Sequence, residues 1–231
     1  RIIRRMYKSS QSKGKENMRE TFYSKYVKTI LDRALGILGL ICLSWLYAII
    51  ALAILIDDPG PVLFKQKRVG KKKNGKLTYF NILKFRSMKM STPHDVPTHL
   101  LGDPEQYITR VGRFLRKTSL DELPQIWNIA IFHNLSIIGP RPALWNQDDL
   151  IAEREKYGAN DVMPGLTGWA QINGRDELEI EDKARLDGEY VQKLSFVFDL
   201  KCFLGTIFSV LRSDGVVEGG TGKIHNEYKP K

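Results

Sequence analysis

The sequence predicts a mostly helical α+β protein, monotopic on a membrane, with an N-terminal re-entrant membrane helix, a small β-hairpin and interfacial amphipathic helices. Three observations predict it. Residues 34–56 form a run of 23 residues without a charge, two β-rich stretches flank Asn74-Gly75, and polar and apolar residues recur at helical spacing further on. At 231 residues, 42% hydrophobic and 27% charged, the composition is that of a folded protein rather than a disordered one. The expected division is a basic arm (1–33), the re-entrant helix (34–56), a cytosolic domain (57–219) and a flexible tail (220–231).

The net charge of +10 is unevenly spread. Residues 1–33 hold ten Lys/Arg against three Asp/Glu, and residues 57–90 hold ten against two. The remainder of the chain is net negative. The positive charge therefore brackets the uncharged run. That pattern suits an anionic lipid surface, at ~1 kcal/mol per basic residue. It weakens a nucleic-acid reading, which needs the charge on the globular part.

As a helix, Ala34 to Ile56 reaches ~34 Å, enough for a ~30 Å hydrocarbon core. Asp57-Asp58-Pro59 follows it in place of a small-residue cleavage site, against a signal peptide. Basic flanks favour the cytoplasmic side, and here both flanks are basic. A helix entering and leaving on one face violates nothing, provided a break interrupts it near the middle. Ser44, with Gly36 and Gly39 before it, supplies the candidate break. A second apolar stretch, Ser195 to Leu211, carries Asp199 and Lys201 and is too short to span; it reads equally as an interfacial or a core helix. Cys42 and Cys202 offer no disulfide framework, in keeping with a reducing compartment.

Val62–Lys67 and Leu77–Phe85 read as strands, with Asn74-Gly75 as the turn of a hairpin. Residues 91–104 read as loop. Glu105–Leu115 reads as helix, and Ser119 opens another that Gly139-Pro140-Arg141-Pro142 ends. Gln147–Tyr157 and Glu177–Leu194 read as helices, and Met163–Arg175 as a glycine-rich loop. Lys84 and Arg86 on the second strand read as surface charge. Thr167–Gln171 reads as either a packing loop or part of a site. The four histidines show no metal spacing. The GGTGK run at 219–223 lacks the first Gly and the Ser/Thr of a phosphate loop.

The densest chemistry lies in Arg116-Lys117-Thr118-Ser119-Leu120-Asp121-Glu122-Leu123-Pro124-Gln125. Ser119 and Glu122 match a capping box, a structural account of the same residues. The functional account uses a helix N-terminus as a phosphate site, reinforced by Arg116 and Lys117. A carboxylate placed there is either a metal ligand or a nucleophile toward phosphorus. Helical neighbours point about 100° apart, so Asp121 and Glu122 should not share one role.

Several stretches, in order, resemble the bacterial sugar transferase family, the monotopic phosphoglycosyl transferases. They are Leu31-Asp32-Arg33 with the apolar run, Pro61–Gly70, Lys84–Met88, Arg113–Gln125, Asn134–Pro142, Met163–Arg175 and Val191–Gly215. The resemblance implies transfer of a sugar 1-phosphate from a UDP-sugar to polyprenyl (undecaprenyl) phosphate, with release of UMP, at the start of surface-glycan synthesis. The family's catalytic dyad falls on Asp121 and Glu122. It implies Asp121 as nucleophile and metal contact, Mg²⁺ as cofactor, and Glu122 as activator of the lipid phosphate or positioner of the metal. Arg116 matches a phosphate-binding arginine, and Arg141 and Arg175 match positions near the nucleotide. Expected partners are the UDP-sugar, polyprenyl phosphate and membrane lipids, with no nucleic acid and a homodimer left open. The expected location is the bacterial inner (cytoplasmic) membrane, with the catalytic domain on the cytoplasmic face. One departure stands out: the family follows its helix-breaking Ser with Pro, whereas Trp45 follows Ser44 here. The alternative is a non-catalytic membrane scaffold for polysaccharide assembly.

Overall fold

The computed structural model describes residues 21–92, 104–174 and 178–212. Arg175, the tail, most of the basic arm and most of the 91–104 loop lie outside the described residues.

A π-helical turn, Tyr23–Val27, leads without interruption into α1, Lys28–Asp57. The expected break at Ser44 is absent. Trp45 keeps the backbone N–H that a proline would lack, and Ser44 Oγ donates to the Ile41 carbonyl at 2.9 Å within an unbroken helix. The helix also starts earlier than the charge-free run, because Lys28 and Asp32 are buried with partners of their own.

At 30 residues, α1 is about 45 Å long and lies lengthwise on the rest of the chain. At its start, Lys28 Nζ donates to Asp199 Oδ2 at 2.6 Å, and Asp32 accepts from Ser136 Oγ at 2.6 Å and Ile137 N at 3.1 Å. In the middle, a Cβ on Gly36 would sit 3.0 Å from that of Ala130, so the helices cross closely there. Further on, Tyr47 donates to the Leu123 carbonyl, and Ile50 and Ile54 join Phe85 and Leu115 in a buried cluster. At its end, Asp57 Oδ2 accepts from Val111 N at 2.8 Å. The other side of α1 carries exposed Leu35, Leu38, Ile41, Trp45, Ile49 and Leu52.

β1 (Leu63–Lys73) and β2 (Lys76–Phe85) form the expected antiparallel hairpin, longer than the β-rich stretches alone indicated. Asn74 (φ 51°) and Gly75 (φ 75°) form its two-residue turn, both left-handed as the strand twist requires. A 3₁₀ turn, Pro104–Tyr107, precedes α2, Arg110–Lys117. This pair replaces the single helix expected from Glu105. Thr109 is the reason: it is extended, and its side chain caps Gly112 N at 2.8 Å.

Ser119 stands before a 3₁₀ turn and not at the start of the expected continuous α-helix. It adopts φ 57°, and its N–H bonds the Arg116 carbonyl, so it closes α2 in the manner of a left-handed C-cap. The capping box is therefore not made. A 3₁₀ turn, Leu120–Glu122, and then α3, Gln125–Ala130, follow. β3 (Ser136–Ile138) pairs in parallel with β4 (Gly165–Thr167), a strand within the segment expected to be loop. The α4 helix (Asp148–Glu155), α5 (Trp169–Ile172), α6 (Ile180–Lys193) and α7 (Phe196–Arg212) complete the order. Thr167–Gln171 packs: Trp169 lies 5.0 Å from the Phe198 ring, and its indole donates to Glu189. On α7, Asp199 and Cys202 are buried, while Phe196, Val197, Phe203 and Phe208 are exposed. Asp199 ties α7 to α1 and α6, accepting from Tyr23, Lys28 and Tyr190.

Candidate active site

The left-handed Ser119 turns the chain sharply between α2 and α3, and the 3₁₀ turn after it presents Asp121 and Glu122 in different directions. Non-glycine residues in this conformation are held there only by their surroundings. Here α2 on one side and α3 on the other fix both ends of the turn.

Glu122 is clamped. Its carboxylate accepts from Lys84 Nζ at 2.9 Å and makes a two-pronged pair with Arg141, whose Nη1 lies 3.3 Å from Oε2 and whose Nη2 bonds Oε1. Arg141 also donates to the Leu166 carbonyl at 3.2 Å, so β4 helps to hold it. Arg141 and Lys84 together keep the Glu122 carboxyl well below the usual carboxylate range, in spite of burial.

Asp121 is the opposite case. It is 8% exposed, and none of the described side chains donates a hydrogen bond to its carboxylate. Its ion-pair partner is Lys84, with Nζ 3.8 Å from Oδ2. Burial raises its pKa and Glu122 adds to the rise, while Lys84, Arg116 and Arg141 act in the other direction. The result is a buried carboxylate, more basic than an ordinary Asp, beside Lys84 and within the electrostatic reach of Arg116 and Arg141. Such a group can attack an electrophile whose negative charge the cations offset.

Arg116 comes from the last turn of α2, and its Nε donates to Ser87 Oγ at 2.9 Å. Docking of α2 on that segment is close: a Cβ on Gly112 would lie 2.0 Å from the Ser87 carbonyl oxygen. The structure thus brings together Asp121, Glu122, Arg116 and Arg141, while Arg175 lies outside the described residues. It adds Lys84, which the sequence reading left as surface charge. Lys84 is only 20% exposed and bridges the two carboxylates, and Arg86 is buried on Asp58. A signal was present: strand alternation puts Lys84 and Arg86 on the face of β2 that carries buried Ile82. A cation on that face needs a carboxylate partner.

Comparison with known proteins gives a consistent result. The sequence model described as bacterial sugar transferase matches residues 23–213. The uncharacterized sugar transferase EpsL of Bacillus subtilis (strain 168) is 39% identical over 190 residues, covering 82% of this chain and 90% of that protein. The UDP-glucose:undecaprenyl-phosphate glucose-1-phosphate transferase of Escherichia coli (strain K12) is 39% identical over 199 residues, covering 80% of this chain and 40% of the relative. The undecaprenyl-phosphate galactose phosphotransferase of Salmonella typhimurium is 32% identical over 206 residues, covering 83% of this chain and 42% of the relative. The chain thus spans nearly all of the first of these proteins and about two fifths of the other two.

Proposed function

The chain belongs to the bacterial sugar transferase family, and on that premise we propose that it transfers a sugar 1-phosphate from a UDP-sugar to undecaprenyl phosphate through an aspartyl intermediate. The observation that carries this reading is the contrast within the dyad. Glu122 is held by Lys84 and Arg141, and the carboxylate of Asp121 accepts no hydrogen bond from the described residues.

In the first step an Asp121 carboxylate oxygen bonds to the β-phosphorus of the donor, the bond from that phosphorus to the α-phosphate bridging oxygen breaks, and UMP leaves with the electron pair. In the second step an oxygen of undecaprenyl phosphate bonds to the same phosphorus, the acyl-phosphate bond breaks, and the Asp121 carboxylate is restored. Lys84, Arg116 and Arg141 offset the phosphate charge at each step. Glu122 holds Lys84 and Arg141 in place for this task.

The residues present suit Mg²⁺ bound chiefly through substrate. Among the described residues no three His, Cys, Asp or Glu side chains gather as a metal cage. Mg²⁺ commonly binds one or two carboxylates plus substrate phosphates. Both Glu122 oxygens are occupied by cations, so Asp121 is the residue that would hold the ion. Bound there, Mg²⁺ would neutralise charge on the diphosphate.

We also propose that the chain is monotopic on the cytoplasmic face of the bacterial inner membrane. Both ends of α1 make polar bonds to the same globular body, which supports a helix whose ends share one face of the bilayer. The exposed apolar residues of α1 and α7 supply a lipid-facing surface.

The test mixes purified protein, Mg²⁺ and undecaprenyl phosphate with UDP-glucose or UDP-galactose and reads UMP release. Release with one of these donors and its near-complete loss in Asp121→Asn is expected. Equal release from both proteins would overturn the assignment, and no release with any UDP-sugar would favour the scaffold alternative.

A further inference from the structure

Asp57 and Asp58 are the only acidic residues between 57 and 90, a segment with ten Lys/Arg. They stand at the end of the apolar helix α1, where an anionic lipid surface would repel them. Their side chains are both engaged. Asp57 Oδ2 accepts from Val111 N at 2.8 Å, in the first turn of α2, where a carboxylate also meets the positive end of the helix. Asp58 receives Arg86 on both its carboxylate and its carbonyl, and its Oδ2 also accepts from Met90 N at 3.0 Å. The third nitrogen of the guanidinium, Nε, donates to the Pro61 carbonyl at 2.6 Å. Arg86 is 7% exposed, so every nitrogen of its head is spent on residues 58–61.

The two contacts reach opposite walls of the site. α2 carries Arg116, and β2 carries Lys84 two residues before Arg86. Ser87, the next residue, receives Arg116 Nε at 2.9 Å and so joins the two walls. We infer that Asp57 and Asp58 are positioning residues: they fix Arg116 and Lys84 around Asp121 from the end of the apolar helix. The placement of the cations then depends on how α1 is seated, although neither aspartate touches the reacting atoms. This inference rests on the aspartyl-intermediate reading.

The test uses the full chain and measures the burst of UMP from the active UDP-sugar without undecaprenyl phosphate. Variants are Asp57→Asn, Asp58→Asn, Arg86→Gln and the Asp58→Asn/Arg86→Gln pair. Each Asp→Asn change should slow the burst about tenfold, the scale expected for slight misplacement of catalytic groups. Burst amplitude and donor KM should hold, because correctly folded sites still bind and react once. The double variant should be no slower than the slower single one. Wild-type burst rates, a loss of amplitude alone, or additive losses would overturn the inference. A wild-type chain that gives no burst fails the covalent reading instead. The same cycle is then read on steady-state kcat, where a non-additive tenfold loss supports the positioning role and any other pattern rejects it.

Discussion

Asp121 and Glu122 are consecutive residues whose surroundings shift their carboxyl pKa values in opposite directions, Asp121 up by burial and Glu122 down by Arg141 and Lys84. The difference is geometric. Glu122 meets Lys84 at 2.9 Å and Arg141 on both oxygens, whereas Asp121 is buried with Lys84 at 3.8 Å. One carboxylate is committed to holding cations, and the other accepts no hydrogen bond from the described residues.

A reactive carboxylate kept in this state costs stability. Burial opposes ionisation of Asp121, so at neutral pH its charge is a burden on the fold. Asp121→Asn should abolish turnover and raise the melting temperature by about 2–4 °C, corresponding to ~1 kcal/mol in a chain of this size. A lower melting temperature would mean that the charge is net stabilising.

Lys84 should control the pH profile. It acts to lower the Asp121 pKa, so its removal lets that pKa rise further and leaves more of the nucleophile protonated at a given pH. Lys84→Met should move the acid limb of kcat/KM upward, with a greater loss at pH 6 than at pH 8. A loss equal at both values would assign Lys84 a purely structural role.

Gly112 should tolerate no side chain. Its Cβ would meet the Ser87 carbonyl oxygen at 2.0 Å, so Gly112→Ala must push α2 off that segment and draw Arg116 from Ser87. The variant should lose at least 2 kcal/mol in chemical denaturation, the scale of a severe overpacking. Unchanged stability would contradict the close docking of α2.

The hairpin and the apolar run were legible in the sequence because each rests on local chemistry, whereas Asp121 and Glu122 were singled out as a dyad by the family resemblance. Asn74-Gly75 are two residues that accept a left-handed turn, and the apolar run is visible in composition alone. What was not legible depends on contacts far along the chain. Ser119 has the residue type of an N-cap, yet its left-handed backbone leaves its side chain without a capping bond, and its N–H bonds back to the Arg116 carbonyl of the preceding helix. Lys84 lies 38 positions from Glu122 in sequence, so only the folded hairpin reveals it as part of the site. β3 and β4 are three residues each and pair across an intervening helix, too short for either to show a period of its own. The unbroken α1 needed the positions of its partners, since Ser44 alone leaves a bend and a straight helix equally open.

The proposed topology can be tested at the two ends of α1. With Cys42 replaced by serine, cysteines at exposed Lys25 and at Lys73 on the hairpin should react with a membrane-impermeant maleimide from the same side of sealed vesicles. Labelling from opposite sides would mean that α1 spans the bilayer.

The most direct measurement traps the protein with UDP-sugar alone and locates the added mass by peptide mass spectrometry. The account predicts a phospho-sugar on the peptide containing residue 121, absent in Asp121→Asn. An adduct on another side chain, or UMP release that begins only once undecaprenyl phosphate is present, would contradict it.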